Sequence, residues 1–384
     1  MNLTCSVNMD LIAVEEGKTR FFVPFQDSAH AFPPGTAPVF YNRRMELNRD
    51  GTVLFVTVMQ PSDYLDAMGA TGVRGLRIAS ECGIDVTIND RDPCACELIR
   101  KNVALSDHGI RVTCRNVHGL LAERRYDAVD LDPYGSPAPF IDSAIRGTGR
   151  FLMITATDTA PLCGAHRRAG IRRYFAQPAN NEYHAETGLR ILLAFVARET
   201  VKYDRGIEPV FCYTRAHYIR ASFRLTNGAS AADRTVGGIG YVFQCCRCPE
   251  RTEQPGLIPE FRECSVCGAK MLPLGPLWLG AVQDRTVITA MKETLPRLEL
   301  NTTKHLGLLL EMLAGELPTS THYDYHTLAK LAKVSPLPID ELIRSLRERG
   351  YLASRAHYSG TALKTDAPAR EIIRTLLEKS VLFA

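Results

Sequence analysis

The most restrictive feature of the chain is an alternation of short apolar strands and helices between Ser62 and Thr155, with a glycine-rich turn after the first strand. The stretch from Ser62 to Gly75 reads as a strand and that turn, and Leu76 to Cys82 as the helix that follows. Glycines let a backbone approach a ligand closely, and a helix N-terminus favours negative charge. Val86 to Asp90 is a second strand ending in an acid, eighteen residues after Gly72. That is the place for a carboxylate that holds ribose hydroxyls in a doubly wound sheet. No Lys-Ser/Thr pair closes the turn, which argues against a nucleoside triphosphate site. A helix from Cys94 to Leu105, a strand from Arg111 to Cys114 and the pair Asn116-Val117 come next. Tyr126 to Leu131 and Phe151 to Thr155 read as the fourth and fifth strands. This order predicts an α/β, Rossmann-like fold with a parallel-rich sheet covered on both faces. Ligands sit at the carboxyl ends of such strands, where Gly72, Asp90, Asn116 and Asp132 would collect.

The fourth strand leads into Asp132-Pro133-Tyr134. It presents a carboxylate, a carbonyl on a residue with no N–H, and an aromatic face at one sheet edge. An amino group on a planar base can use all three, two oxygens accepting its hydrogens while the ring stacks. Taken alone, the same residues also describe an ordinary strand end before a proline turn.

Net charge is only +4, so a nucleic-acid surface has to be a local patch. No apolar run reaches the roughly 18 residues of a membrane span. Met1 to Asp10 lack a basic stretch followed by an apolar core, so no secretory signal is expected. The 12 cysteines are mostly scattered singly, which fits a reducing, cytoplasmic setting with one metal site rather than a disulfide framework. Residues from Glu15 to Pro38 read as a small β-rich lead-in. The arginines of Tyr41 to Asp50 fit either a solvated helix face or an anion clamp. Arg167, Arg168, Arg172 and Arg173 form a compact basic run, either a solvated loop or a phosphate contact for RNA. The helix Glu186 to Lys202 has one strongly apolar face and reads as core.

From Pro209 the chain becomes β-rich, and two Cys-x-x-Cys knuckles follow, Cys245 with Cys248 and Cys264 with Cys267. Fifteen residues separate them, the spacing of a zinc ribbon spanning about 241–272. Four thiolates leave no open coordination position, so the metal role would be structural, with Cys246 a bystander. The tail from Thr302 holds helices at Leu306–Leu313, His326–Ala332 and Pro338–Arg349, then a small hairpin, as in a winged-helix module. Arg344, Arg347, Arg349, Arg355 and Lys364 would give that module a basic face. A boundary near 208 would divide a nucleotide-fold domain from this C-terminal α+β region.

Several long motifs together resemble the archaeal and eukaryotic tRNA guanine-26 N2,N2-dimethyltransferases. They are Val39-Phe40-Tyr41-Asn42, Arg44 to Asp50, Asp66-Ala67 with Ala70-Thr71-Gly72, Asn89-Asp90, Asp130 to Pro137, Thr155 to Gly164 and Gly275 to Gly280. The resemblance implies a class I methyltransferase domain, S-adenosylmethionine as methyl donor and a guanosine in tRNA as acceptor. It implies that Arg44 and Arg74 hold the methionine end of the cofactor, in a site that includes Asp66 and Gly72. Asp90 would bind the ribose and Asn116-Val117 meet the adenine. Asp132 would be the catalytic acceptor, with the Pro133 carbonyl beside it, and Tyr134 the stacking ring. The sequence departs from the family where Arg43 replaces Pro, Asn116-Val117 replaces Asp-Ala, and Tyr134 replaces Phe. The tail and the Arg167 to Arg173 run would bind tRNA, and no membrane or obligate protein partner is implied. Two other readings are an amino-methyltransferase of another RNA or DNA base, and a non-catalytic zinc-ribbon and winged-helix nucleic-acid-binding protein.

Overall fold

The structure is a computed structural model and describes residues 9–25 and 38–380. The expectation for the extreme N-terminus and part of the β-rich lead-in (26–37) lie outside the described residues. Along the chain, the hairpin β1 (Leu11–Glu16) and β2 (Thr19–Pro24) precedes α1 (Glu46–Met59) and β3 (Asp63–Asp66). Then come α2 (Val73–Cys82), β4 (Asp85–Asp90), α3 (Pro93–Val103), β5 (Arg111–Cys114), α4 (Val117–Glu123), β6 (Tyr126–Leu131), α5 (Ile141–Gly147) and β7 (Thr148–Ala156). The second half begins with α6 (Thr159–Leu162), α7 (Arg167–Tyr174), α8 (His184–Val201), β8 (Arg205–Arg215), β9 (Tyr218–Asn227) and α9 (Ala229–Gly237). β10 (Ile239–Cys245), β11 (Arg251–Pro255), β12 (Met271–Trp278), α10 (Arg285–Thr294) and α11 (Thr303–Gly315) follow. The chain closes with β13 (Tyr323–Asp324), α12 (Tyr325–Ala332), α13 (Ile339–Glu348), β14 (Ala353–Arg355), β15 (Ala362–Thr365) and α14 (Ala369–Ser380).

Contacts divide the chain into two units, the first running to Ala156 with Ser222–Leu225 and Arg285–Leu310, the second comprising the rest. In the first, the strand order is β5-β4-β3-β6-β7 and every one of these pairs is parallel. The register sets Asp66 beside Asp130 and Asp90 beside Cys114, so the strands end together. Local chemistry explains the helices between them. Asp92 caps α3 by accepting from the Cys94 N–H at 2.8 Å, and Pro93 opens it. Gly72 starts α2 at a φ of 80°, a conformation that strains any other residue. Gly75 lies so close to β4 that a Cβ there would meet Ile88 at 2.5 Å, which seats α2 tightly on the sheet.

In the second unit, β11-β10-β12 form an antiparallel sheet that carries the cysteine knuckles. Helices α12, α13 and α14 bury Leu328, Leu342, Ile343, Leu346, Ile372 and Leu376 around the sheet β13-β15-β14. The expected three helices and hairpin are present, with α14 and the short strand β13 added. The expected basic face is thinned: Arg344 and Arg347 are exposed, while the charges of Arg349, Arg355 and Lys364 meet acids. Lys364 is fully buried, Arg347 donates to the Ala353 carbonyl at 2.7 Å, Arg349 pairs with Glu378, and Arg355 pairs with Asp340 at 2.9 Å. Only Arg344 of the five is exposed without such a partner among the described residues. Beside the expected cysteine cluster there is one pairing, a disulfide between Cys96 of α3 and Cys114 of β5. Eighteen residues separate them in sequence, and only the packing of α3 against β5 makes them neighbours.

The interior of the second unit is organised around α8. Glu186 accepts from Lys364 Nζ at 2.6 Å, from Arg190 Nε at 3.0 Å and from His322 Nδ1 at 2.8 Å. Arg190 also donates to the carbonyls of Trp278, Gly280 and Thr319. Glu316 sits 3.2 Å from Lys364 and accepts from His357 Nδ1 at 2.7 Å. Burial alone would raise the Glu316 carboxyl, but His357 and Lys364 outweigh it and hold it down at about 2. The same balance, led by Lys364 and Arg190 against burial, holds Glu186 well below the usual range. Both acids therefore stabilise the fold above about pH 4.5 and lose that contribution as pH falls toward 2. Lys364→Met is expected to cost roughly 3–5 kcal/mol, since it strands buried carboxylates. It should also move the acid-unfolding midpoint upward in near-UV circular dichroism; an unchanged midpoint would contradict this account.

Candidate active site

The site grows from the carboxyl edge of the parallel sheet. Asp130, the penultimate residue of β6, is completely buried and accepts from the Tyr64 hydroxyl at 2.9 Å. Two residues on, the Asp132 side chain is 24% exposed and ion-pairs with Arg74 Nη2. Arg74 itself is buried on the first turn of α2. Its Nη1 donates to Asn48 Oδ1 at 2.8 Å and to Thr52 Oγ1 at 2.7 Å, and lies 3.7 Å from Asp130. Asn48 in turn donates to Thr155 at 3.3 Å. One guanidinium thus joins α1, α2 and the end of β6, with its planar fork held on three sides. Burial opposes its charge, and Asp130 and Asp132 more than restore it.

Asp66 faces the same cation from the end of β3. Its Oδ2 accepts from the Gly75 N–H at 3.0 Å, and burial pushes its carboxyl up to about 7 despite the pull of Arg74. A carboxyl titrating there is partly protonated at neutral pH, which reduces the negative charge collected around one arginine.

Asp90, at the end of β4, accepts from the Ala70 N–H through Oδ2 and from the Asp92 N–H through Oδ1, both at 2.9 Å. It therefore fixes the turn that contains Gly72. Asn89, buried beside it, donates to the carbonyls of Ala67 and Arg115 at 3.1 Å and ties the ends of β3 and β5 together. Asn116 caps α4, its Oδ1 accepting from the His118 N–H at 2.9 Å, and Val117 is buried behind it.

Tyr134 is 85% exposed and meets Phe40 edge-on, ring centroids 5.6 Å apart. An exposed aromatic pair beside a carboxylate can stack a planar group. Arg43 and Arg44 are exposed on a short turn capped by Asn42 Oδ1. Arg49 behaves differently from both readings of this motif. It is buried and bonded to Glu16 at 2.5 and 2.7 Å, while Arg77 holds Asp50 at 2.6 Å and Glu81 at 2.8 Å. These ion pairs fasten α1 to the β1–β2 hairpin and to α2.

The first unit thus brings together Asp66, Gly72, Arg74, Asp90, Asn116-Val117 and Asp132-Pro133-Tyr134 along one sheet edge. The basic run and the cysteine knuckles belong to the second unit. Arg167, Arg168, Arg172 and Arg173 lie on a helix, α7, rather than a loop. Arg167 bonds Gln177 at 2.8 Å and Arg173 bonds Asp158 at 3.1 Å, whereas Arg168 and Arg172 are exposed one turn apart. The Sγ atoms of Cys245, Cys248, Cys264 and Cys267 lie within 4.8 Å of one another, a group that could hold a metal ion. Asn48 and Thr52 were not singled out by sequence reasoning. Their signal was present all the same, as two polar residues four apart on the inner face of a helix.

Comparison with known proteins follows this geometry. The N2,N2-dimethylguanosine tRNA methyltransferase family matches residues 17–377. The tRNA (guanine(26)-N(2))-dimethyltransferase of Methanoregula boonei is 60% identical over 94% of this chain and 96% of its own length. That of Methanosphaerula palustris is 57% identical over 96% of this chain and 99% of its own. Trm1 from Pyrococcus horikoshii, solved in complex with S-adenosyl-L-methionine, is 36% identical with a TM-score of 0.87, covering 95% of this chain and 100% of that one. A match over nearly the whole chain, on a sheet edge built as the motifs require, places this protein in the N2,N2-dimethylguanosine tRNA methyltransferase family.

Proposed function

We infer that this protein transfers one or two methyl groups from S-adenosylmethionine to the exocyclic N2 of guanosine 26 in tRNA. The observation that carries the reading is Asp132, held by Arg74 at the sheet edge beside the exposed ring of Tyr134. When bound, S-adenosylmethionine supplies an electrophilic methyl group on a sulfonium sulfur. The residues present suit it. Asp90 keeps a second lone pair on each oxygen after accepting its two backbone bonds, enough for ribose hydroxyls. Val117 offers an apolar wall for the adenine, and Asn116 keeps its amide N–H groups for the ring edge after using its oxygen as a cap. Gly72 leaves room for a close approach, and exposed Arg44 can reach a carboxylate. We assign Arg74 to Asp132 rather than to the cofactor, because its guanidinium is already engaged by three side chains.

The chemistry asked of the chain is modest. The lone pair of guanine N2 is delocalised into the ring, so the nitrogen is a weak nucleophile. Asp132 and the Pro133 carbonyl accept its two hydrogens and favour a nitrogen whose lone pair points out of the ring plane. Tyr134 stacks on the base, with Phe40 edge-on beside it, so that orientation supplies most of the acceleration. Asp132 is placed to take the proton that leaves as the N–C bond forms. A base paired within folded RNA has to be turned out to reach this edge. Arg168 and Arg172 supply phosphate contacts on the second unit, through charge and shape rather than sequence.

The cysteine group fits zinc. Sulfurs bound at about 2.3 Å to one tetrahedral ion lie roughly 3.8 Å apart, and Cys245–Cys267 and Cys248–Cys264 stand at 3.5 and 3.6 Å. The ion would pin the ribbon and leave no position open for catalysis.

The reading is tested by methylation of an unmodified tRNA transcript, with a transcript lacking guanosine at position 26 as control; equal methylation of both would defeat the position assignment. Asp132→Ala is expected to bind S-adenosylmethionine in calorimetry yet lose turnover by roughly 10²–10⁴-fold; wild-type turnover would remove Asp132 from the reaction. Thr52→Val should lower kcat about tenfold, the worth of one hydrogen bond to a charged group, with the KM for S-adenosylmethionine unchanged. Thr52→Ser should restore kcat, and a shared loss in both would point to packing instead. Cys264→Ser should lose zinc by elemental analysis and lower the melting temperature of the second unit; full zinc stoichiometry would reassign the ligands.

A further inference from the structure

Helix α7 carries four arginines and no acid. Arg168, Ile171, Arg172 and Phe175 follow the i, i+3, i+4, i+7 spacing that sets residues along one helix face. Such a face is ordinarily the buried one, yet all four side chains here are exposed. Phe175 is 69% exposed and Ile171 40%. We propose that Phe175 is a stacking platform for one unpaired base of the RNA substrate, with Arg168 and Arg172 holding phosphates of the same strand.

The ring is held out against backbone strain. Phe175 caps α7 in the left-handed region, at φ 50° and ψ 40°, its N–H donating to the Ile171 carbonyl at 2.9 Å. Glycine takes that position freely, whereas a bulky residue there is an outlier. The surroundings explain the turn. Tyr174 is fully buried and Ala176 is 4% exposed, so the backbone passes inward on both sides of Phe175. Arg198 of α8 fixes the turn, its Nη2 donating to the Tyr174 carbonyl at 2.6 Å and its Nη1 to the Phe175 carbonyl at 3.4 Å. Two residues on, Gln177 and Gly275 exchange backbone bonds at 2.6 and 3.0 Å. Glycine would satisfy every one of these bonds. What phenylalanine adds is a rigid apolar plane facing water, and strain retained with little packing in return points to a ligand.

Charge selects the ligand. Arg168 and Arg172 are exposed, and their own helix offers them no acid. Their spacing puts the two cations about 6 Å apart along the helix axis, on the face that ends in the ring. An apolar protein partner covering this face would bury two unpaired charges. A bare polyanion would satisfy the arginines and leave Phe175 in water. A single nucleic-acid strand supplies both phosphates and π faces, and proteins that bind such strands combine cations with aromatic stacking. Every base has a π face, so this contact tolerates any sequence.

The proposal rests on the tRNA-methylation reading, and its test keeps the two apart. Full-length wild type, Phe175→Gly and Arg172→Ala are compared for binding to an unmodified tRNA transcript. Phe175→Gly is expected to raise the tRNA Kd roughly tenfold and to leave the slope of log affinity against log salt unchanged. Its melting temperature should hold or rise, because the strain is removed. Arg172→Ala should instead shrink the salt slope by about one. The Kd for S-adenosylmethionine should not move in either. Phe175→Trp gives a direct readout, since the one native tryptophan, Trp278, is buried. Fluorescence of the introduced indole should be quenched by tRNA, and not by a blunt RNA duplex or by polyglutamate. Wild type that neither binds nor methylates tRNA would sink the reading beneath. Wild type that methylates while Phe175→Gly binds tRNA as tightly would sink the platform alone. A lower melting temperature for Phe175→Gly would make the ring structural. Quenching by the duplex would reduce α7 to a phosphate contact, and quenching by polyglutamate would reassign the face to an acidic protein; either result overturns the proposal.

Discussion

The first unit depends on a buried guanidinium. Arg74 stands where three carboxylates converge, Asp66 at the end of β3, Asp130 next to the end of β6 and Asp132 just beyond it. Parallel pairing puts them there, because it sets Asp66, the last residue of β3, beside Asp130, the penultimate residue of β6, and Asp132 follows one residue past the strand. Without a cation, that many carboxylates in a low-dielectric interior would protonate or repel. Arg74 resolves the conflict unequally. Asp66 is left largely desolvated and is pushed up to about 7, while Asp132 keeps one side open to solvent. The same ion therefore stabilises the sheet edge and orients the carboxylate proposed to act on the base.

The arginine is itself oriented. Asn48 and Thr52, one turn apart on α1, take Nη1 and leave Nη2 for Asp132. The helix that carries them is fastened by Arg49 to Glu16 and, through Asp50, to Arg77. A motif rich in charge thus turns inward. Its residues form a scaffold of internal pairs, in which removing either partner would leave an uncompensated buried charge. The second unit uses the same principle with the sign reversed. There a carboxylate, Glu186, is the hub, and Lys364, Arg190 and His322 are its partners. Arg190 reaches the carbonyls of Trp278 and Gly280, which gives the Gly275 to Gly280 motif a structural role.

Much of this was legible from the order of residues. Alternating strands and helices announced a parallel sheet, and acids at strand ends pointed to the edge proposed to hold the ligand. Asp132-Pro133-Tyr134, Asp90 and Gly72, which the structure sets along one sheet edge, could be singled out because each sits beside a local signal: a strand end, a proline or a glycine-rich turn. The knuckles were found because a turn brings Cys-x-x-Cys sulfurs together without help from the rest of the fold. Lys364 was misplaced for the opposite reason. A lysine on a short strand reads as surface, and only partners at Glu186 and Glu316 can compensate its charge in the interior. Cys96 and Cys114 belong to the same class, since nothing between them in sequence says that α3 folds back over β5.

Sequence alone determined the sheet, the spacing of the four cysteines and the family, because each is written in residues close together or in motifs long enough to be specific. Tertiary structure decided which charges face water and which face one another. It turned Arg49 and Lys364 inward, paired Arg74 with Asp132, and left Arg168 and Arg172 exposed. The physical reason is that the state of a charged or hydroxyl group is set by burial and by partners far away in the chain, and neither is recorded in its neighbours along the sequence.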